Sequence, residues 1–299
     1  MNTVHTDICP LCGGKDFQDY LTCKDHYASQ EDFQLVKCSA CGFVLTQDFP
    51  AEDSIGSYYN VSDYISHSDT RKGLFNKLYH IARSFALKSK AKTVIKYAAP
   101  NSKILLDYGS GTGYFLNKMK SKGWLVTGIE KDEGARDYAK SKFGLNVQSH
   151  EYIFQISKQQ KDTITMWHVL EHIENLNKVM QQLHVILKED GTAIIALPNR
   201  ESLDAEYYKN NWAAYDVPRH LWHFSQKDFE FLANKHNFSL VDVKPMYLDA
   251  FYISMLSQKY KGTFLGSLMG LLRGGLFFLK SLSNKQKCSS LIYILKKKK

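Results

Sequence analysis

Proline is scarce in this chain of 299 residues, six in all, which leaves no material for a proline-rich linker or a collagen-like rod. No apolar run reaches membrane-spanning length. The most hydrophobic stretch, Phe264–Leu279, has 16 residues with Arg273 inside it, against the roughly 20 that a spanning helix needs. The first twenty residues lack a basic start followed by an apolar stretch, so no export signal is expected there. Acidic residues are missing from 251–299, where ten basic ones stand (Lys259, Lys261, Arg273, Lys280, Lys285, Lys287 and Lys296 to Lys299). The net charge of +9 therefore belongs to the tail, since residues 1–250 hold 29 basic and 30 acidic groups. A body so close to neutral argues against a domain that grips nucleic acid, which carries Lys and Arg over its own surface. The rest is ordinary globular composition, long enough for one large core or for one core plus a small module.

Four of the six cysteines stand in pairs. Cys9-Pro-Leu-Cys12-Gly and Cys38-Ser-Ala-Cys41-Gly are two tight turns separated by 25 residues. Two such turns can surround one zinc ion with four thiolates, which leaves no open coordination position and makes the metal structural. Disulfides or a redox pair are the alternatives. Cys23 and Cys288 are left over and read as ordinary thiols. Paired thiols without an export signal fit a reducing cytoplasm.

No internal repeat or low-complexity segment interrupts the chain, but its texture changes along the way. Residues 1–50 form a zinc-ribbon-like module with short β-like runs at 33–36 and 43–46. Residues 51–100 are rich in tyrosine and then turn helical, with Leu74, Leu78, Ile81, Phe85 and Leu87 near helical spacing until Pro100 stops the run. From Lys103 strand and helix alternate, which predicts a mostly parallel sheet with helices on both faces. Strands are expected at 103–108, 124–130, 144–148, 162–167, 192–197, from Phe238 and at 290–295. Helices are expected near 113–122, 133–142, 175–188 and 226–237. The core unit spans 101–248, and an apolar and basic helical insertion with a final strand fills 249–299.

One loop carries the strongest chemical signal. Ile104-Leu-Leu-Asp107-Tyr-Gly109-Ser-Gly111-Thr-Gly113 is an apolar strand delivering an acid, followed by glycines at alternate positions. Glycine allows close backbone approach, and the next helix presents free N–H groups. Dinucleotide enzymes use a related loop, spaced Gly-x-Gly-x-x-Gly. Here the spacing is Gly-x-Gly-x-Gly, and Asp107 before it would repel a pyrophosphate but suits a ligand carrying an ammonium and a sulfonium. Glu130 then ends the next strand, 17 residues past Gly113, where a carboxylate can accept from both ribose hydroxyls.

On these residues the chain resembles the class I S-adenosylmethionine (SAM)-dependent methyltransferases over roughly 74–247. Asp107-x-Gly109-x-Gly111-x-Gly113 is similar to their first motif, and Glu130 to their ribose-binding acid. Trp167-His168-Val169-Leu170-Glu171-His172 resembles a "VLEH" segment of the subfamily that includes quinone-biosynthesis methyltransferases. The resemblance implies a Rossmann-like fold with a seven-stranded, mostly parallel sheet. It also implies that Trp167 and His168 lie beside SAM, with Ser149 or His150 near the adenine; otherwise His172 is a packing histidine at a helix start. The cysteine module resembles the zinc ribbon of some sugar-modifying methyltransferases, including C-methyltransferases of deoxysugar nucleotides. A similar ribbon precedes the methyltransferase domain in one family of ribosomal RNA guanine methyltransferases. The stretch Tyr58-Tyr59…Tyr64…His67 has loose counterparts in the sugar group.

The acceptor is expected under the loop 200–225, which contains Trp212, Tyr215, Asp216, Arg219, His220, Trp222, His223 and Ser225. Loops at the carboxyl ends of strands build the crevice of an open α/β sheet. His220 and His223 are candidate bases, because an unperturbed imidazole titrates near 6.5. Arg219 is a candidate partner for an acceptor phosphate or carboxylate. The structural alternative is that Arg219 and Asp216 tie the loop down while Ser225 caps the next helix. The segment recurs as a "DxPRHLxHFS" pattern in uncharacterised relatives of the group.

The tail leaves two readings open. Gly266, Gly270 and Gly274 are spaced four apart, a pattern for close helix packing. With ten basic and no acidic residues over 251–299, the segment 249–284 either lies on an anionic membrane surface or packs on the domain or a partner copy. The expected activity is methyl transfer from SAM to a small-molecule acceptor: a sugar nucleotide, a quinone-like lipid precursor or another envelope intermediate. An RNA methyltransferase reading through the ribbon, and a non-enzymatic scaffold, are the alternatives. The expected place is the cytoplasm, with peripheral contact at the inner face of a membrane left open.

Overall fold

A computed structural model describes residues 2–59, 74–263 and 265–298, with backbone alone for 74–82. Tyr64 and His67 of the tyrosine-rich stretch lie outside the described residues, as do the side chains of Leu74, Leu78 and Ile81. The chain opens with five short strands: β1 (Thr3–Val4), β2 (Phe17–Lys24), β3 (Asp32–Cys38), β4 (Val44–Thr46) and β5 (Phe49–Pro50). Helix α1 (Leu74–Tyr97) follows and ends before Pro100. Then come β6 (Ile104–Tyr108), α2 (Tyr114–Lys120), β7 (Leu125–Ile129), α3 (Glu133–Phe143), β8 (Val147–Gln148), β9 (Lys161–Trp167), α4 (Leu176–Ile186) and β10 (Leu187–Pro198). The last third holds α5 (Leu203–Tyr208), β11 (Trp222–His223), α6 (Gln226–Lys235), β12 (Phe238–Pro245), α7 (Asp249–Tyr260), α8 (Gly266–Ser283) and β13 (Ser290–Lys297).

Seven strands form the main sheet in the order β12-β13-β10-β9-β6-β7-β8. The pairs among β10, β9, β6, β7 and β8 are parallel, and β13 slots antiparallel between β10 and β12. This is the Rossmann-like sheet that alternating strand and helix demanded. The central strands are buried on both faces, β9 along its whole length, as expected when helices cover each side. One face packs α1 and α2 through Ala91, Val94, Phe115 and Met119. Phe85, one of the helically spaced apolar residues of α1, is 63% exposed; the buried positions among the described side chains are Ala91, Thr93 and Val94. Local signals set the helix ends. Asp132 accepts from the Ala135 N–H to start α3, and Gly144 at φ +58° stops it.

The opposite face is where the cysteine-bearing strands attach. A single apolar cluster runs from Leu183, Ile186 and Tyr293 of the core to Cys9, Leu11, Val36, Phe43, Leu45 and Phe49. Pairing across the chain reinforces it. Trp222 and His223 pair antiparallel with Leu45 and Val44, so β11 completes a second sheet ordered β11-β4-β3-β2. The loop 200–225 is therefore stitched to the N-terminal strands along its descending half.

The insertion between β12 and β13 is a two-helix hairpin. Ideal Cβ atoms at Gly270 and Gly274 would lie 2.5 Å from the Met255 Cα and 2.7 Å from the Phe251 Cα, so these glycines let α8 rest on the backbone of α7. The opposite face of α8 is apolar and open: Leu268, Leu272, Leu276 and Leu279 are more than half exposed. Among the described residues no helix is long and apolar enough to cross a membrane. Gly274→Val should lower the thermal midpoint by the equivalent of about 1–3 kcal/mol, because backbone cannot yield to the new side chain. Gly275→Ala, whose Cβ would meet only the Phe251 ring edge at 3.7 Å, should instead stabilise by about 0.5–1 kcal/mol. Melting curves of the two variants make the comparison.

Candidate active site

At the carboxyl ends of β6, β7 and β9 the acid, the glycines and the aromatic segment converge. Asp107 is 1% exposed and accepts from the Thr165 hydroxyl at 2.6 Å. Burial pushes its carboxyl up to about 7, the Thr165 hydrogen bond and the nearby Lys90 charge notwithstanding. Past it, Gly109 (φ +75°) has no room for a side chain, since a Cβ there would sit 2.2 Å from Val169 Cγ2. That closeness clamps the 167–172 segment against the loop. Gly111 is the contrary case: its Cβ position is open, so the loop turns a bare backbone toward free space. The Gly111 N–H donates to Glu130 Oε2 at 2.7 Å, and the Asp132 N–H donates to Oε1 at 3.0 Å. Each oxygen of Glu130 keeps further acceptor capacity for a ligand. Gly113 (φ +82°) opens α2.

Trp167 packs edge-on against Phe115 at 5.6 Å, with the Lys90 ammonium 4.7 Å above its ring. Its indole N–H is buried without an acceptor. His168 takes φ +60° and sits between two carboxylates, Asp249 Oδ2 at 3.2 Å and Glu171 Oε1 at 3.5 Å. Burial opposes charge on this ring, but Asp249 and Glu171 outweigh it and raise its pKa to about 9. Asp249 begins the inserted hairpin, and no sequence signal marked it. Ser149 opens the short turn 150–155 beyond β8, which pairs with β7, the strand just before Glu130, and His150 lies 3.4 Å from Glu52.

The loop 200–225 divides its candidates. Arg219 is 2% exposed, and its donors are taken. Nε and Nη2 reach Asp216 at 3.1 and 2.6 Å, Nη2 also reaches Asp25 at 3.0 Å, and Nη1 donates to the Tyr58 carbonyl at 3.0 Å. Against the effect of burial, Arg219 holds Asp216 below the ordinary carboxylate range. His223 is buried with Nε2 2.9 Å from the Thr46 hydroxyl, and burial drives its pKa well below 6.5. These three side chains face the N-terminal strands. His220 turns toward the 167–172 segment, with its Nε2 4.0 Å from Asp216 Oδ2. Its ring meets His172 edge-on at 4.5 Å, and its Nδ1–H donates to the Ala214 carbonyl at 2.8 Å. Ser225 caps α6 in a reciprocal pair with Asp228. Glu171, His172 and Lys90 complete the site; the first two stand inside the 167–172 segment, and Lys90 gave no local signal.

In the N-terminal strands the four paired cysteines come together, their sulfurs within 4.8 Å of one another. Cys9 and Cys41 are 3.6 Å apart, as are Cys12 and Cys38. A tetrahedron with about 2.3 Å zinc–sulfur bonds has an edge near 3.8 Å, whereas a disulfide needs about 2.05 Å.

A family model described as a methyltransferase domain matches residues 81–243, more than half of the chain. The chain belongs to this family, the class I SAM-dependent methyltransferases. It is 31% identical over 155 residues to the ubiquinone biosynthesis O-methyltransferase of Glaesserella parasuis, a match that covers 43% of this chain and 65% of that protein. Phosphoethanolamine N-methyltransferase 2 of Haemonchus contortus, solved with SAM, shares the fold at 15% identity and a TM-score of 0.55, covering 95% of this chain and 69% of that one. A second complex of that protein, with phosphomonomethylethanolamine and S-adenosylhomocysteine, gives a TM-score of 0.54 at 14% identity, over 95% of this chain and 68% of that one. The residues at the loop fit the donor: an open face at Gly111, acceptors on Glu130, an unpartnered indole N–H and the buried acid Asp107.

Two outcomes follow from these charges. Arg219→Met leaves Asp25 and Asp216 without their cation and should cost about 3–5 kcal/mol in urea unfolding, since stranded buried charges are expensive. Asp107 has a folded-state pKa of about 7, above the roughly 3.9 of an unfolded aspartate, so its contribution is full below the lower value and is lost as pH rises to the higher. The melting-temperature advantage of Asp107→Asn over wild type, without ligand, should grow from pH 4 to pH 7 and then stay constant.

Proposed function

We propose that the chain transfers a methyl group from SAM to a small-molecule acceptor held under the loop 200–225. The carrying observation is the pair of carboxylates around an open glycine loop: Asp107 buried beneath it and Glu130 fixed at its edge by two backbone N–H groups. In this reading Glu130 accepts from the ribose hydroxyls, Asp107 faces the cationic part of the donor, and Trp167 and His168 wall the pocket with Ser149 at its adenine end. When bound, SAM supplies a sulfonium-activated methyl group. The protein's task is then alignment, and positioning of that kind contributes roughly 7–11 kcal/mol of barrier lowering.

Of the loop histidines, His220 is the better placed to act on the acceptor, because it meets His172 and Glu171 on the side of the 167–172 segment. His223, Asp216 and Arg219 support that placement from behind by fixing the loop to the N-terminal strands. The acceptor classes that suit a near-neutral body and an aromatic loop are a sugar nucleotide, a quinone-like precursor or another envelope intermediate. The four sulfurs fit a structural zinc that shapes the N-terminal strands. The open leucine face of α8, flanked only by cations, supports peripheral contact with an anionic membrane surface.

Calorimetry with SAM tests the donor half: wild type should bind one equivalent, and Glu130→Ala should weaken binding at least tenfold. No heat with wild type, or equal binding by the variant, would overturn it. Labelled SAM supplied with fractionated cell extract should then label a small molecule, and His220→Ala should lower that transfer.

A further inference from the structure

Behind the 167–172 segment lies a second cluster of ligating groups, separate from the cysteines. A carboxylate oxygen of Glu171 and one ring nitrogen each of His172 and His220 lie within 4.8 Å of one another. We infer that these three side chains form a divalent cation site, a two-histidine, one-carboxylate set that would take a first-row ion such as Zn2+ or Mn2+.

Three features of the site carry this. Glu171 is fully buried, yet neither of its carboxylate oxygens has a hydrogen-bond partner. A buried carboxylate without a hydrogen bond is costly, and a cation bound directly at its oxygens lowers that cost. His168 stands 3.5 Å from Glu171 Oε1 and 3.2 Å from Asp249 Oδ2, so its charge is divided between two carboxylates, and neither Glu171 oxygen gains a hydrogen bond from it.

The histidines are also presented as ligands. The His172 Nδ1 lies 2.9 Å from the Arg219 carbonyl and the His220 Nδ1 lies 2.8 Å from the Ala214 carbonyl. A carbonyl oxygen only accepts, so both Nδ1 atoms carry the proton, which His172 shares with the Tyr59 hydroxyl oxygen at 3.2 Å. Neither Nε2 has a hydrogen bond, that of His220 facing Asp216 Oδ2 at 4.0 Å. Tying the remote ring nitrogen to a carbonyl is how metal-binding histidines are oriented and made more basic.

Finally, the site is assembled from two segments that are held firmly. Residues 171 and 172 follow β9, and the Leu221 N–H donates to the Glu171 carbonyl at 2.8 Å, which keys the loop beside His220 to the segment bearing the other two ligands. Small side-chain rotations bring such atoms to the roughly 3 Å separations set by bonds of about 2.1 Å. Three protein ligands leave coordination positions open, so the ion is suited to hold an oxygen of a second molecule. The site stands whether or not the methyl-transfer reading does, because binding of the ion needs neither SAM nor acceptor.

The cysteine site must be filled first, so that it does not compete. Protein reconstituted with Zn2+ and freed of excess ion should contain two Zn2+ per chain by metal analysis, and Glu171→Gln, His172→Asn and His220→Asn one each. If the second site exchanges on gel filtration, zinc-loaded wild type should instead take up one Mn2+ per chain in an electron paramagnetic resonance titration. Mn2+ prefers oxygen and nitrogen to thiolate, so it reports on this site rather than the cysteines. The three variants should then bind it at least tenfold more weakly. A wild type that holds a single Zn2+ and takes up no stoichiometric Mn2+ overturns the site. So does undiminished binding in Glu171→Gln, whose near-identical shape keeps the fold while removing the charge. The wild-type stoichiometry decides the question even if a histidine variant fails to fold.

Discussion

The buried guanidinium of Arg219 is the fixed point of this molecule. It lies where three stretches of chain distant in sequence meet: the β2–β3 turn through Asp25, the tyrosine-rich segment through the Tyr58 carbonyl, and its own loop through Asp216. A charge so far from water persists only with every donor used, and here one cation answers two carboxylates and a carbonyl. The loop 200–225 thus takes its shape from residues outside the sheet. His220 points toward the 167–172 segment because its neighbour one residue back is anchored in the opposite direction.

The legible parts of the fold were those in which local sequence and tertiary structure ask for the same thing. The run Ile104–Gly113 is strand, acid and turn within ten residues, and nothing distant is needed to read it. The alternation of strand and helix after Lys103 likewise survived into the structure, because fully buried parallel strands must be apolar along their length and the helices between them amphipathic. The return strand β13 was also visible, as a β-like run after the glycine-spaced helices.

What escaped were contacts made across long sequence separations. Asp249 reaches His168 from the start of an inserted hairpin, and Lys90 approaches Trp167 and Asp107 from α1. Neither carries a motif, and only the fold brings them near. Glu171 stands inside a recognisable segment, but its lack of hydrogen bonds is a property of burial that spacing cannot show. The two loop histidines looked equivalent, three residues apart with similar neighbours. Antiparallel pairing of β11 separates them, turning His223 to Thr46 while His220 stays with His172. Arg219 offered a similar ambiguity, since a guanidinium suited to an acceptor's anion is equally suited to two aspartates.

The pairing of β11 with β4 also sets an order of events during synthesis. Thr46 and His223 are 177 residues apart, so the N-terminal strands leave the ribosome long before their fourth strand exists. Until then the edge of β4 presents unpaired N–H and C=O groups to any extended segment that comes within reach. The nascent chain must carry this open seam through translation of nearly the whole catalytic sheet. A compact knot of four thiolates beside that seam, able to close on a metal ion early, would keep the edge in one shape while it waits.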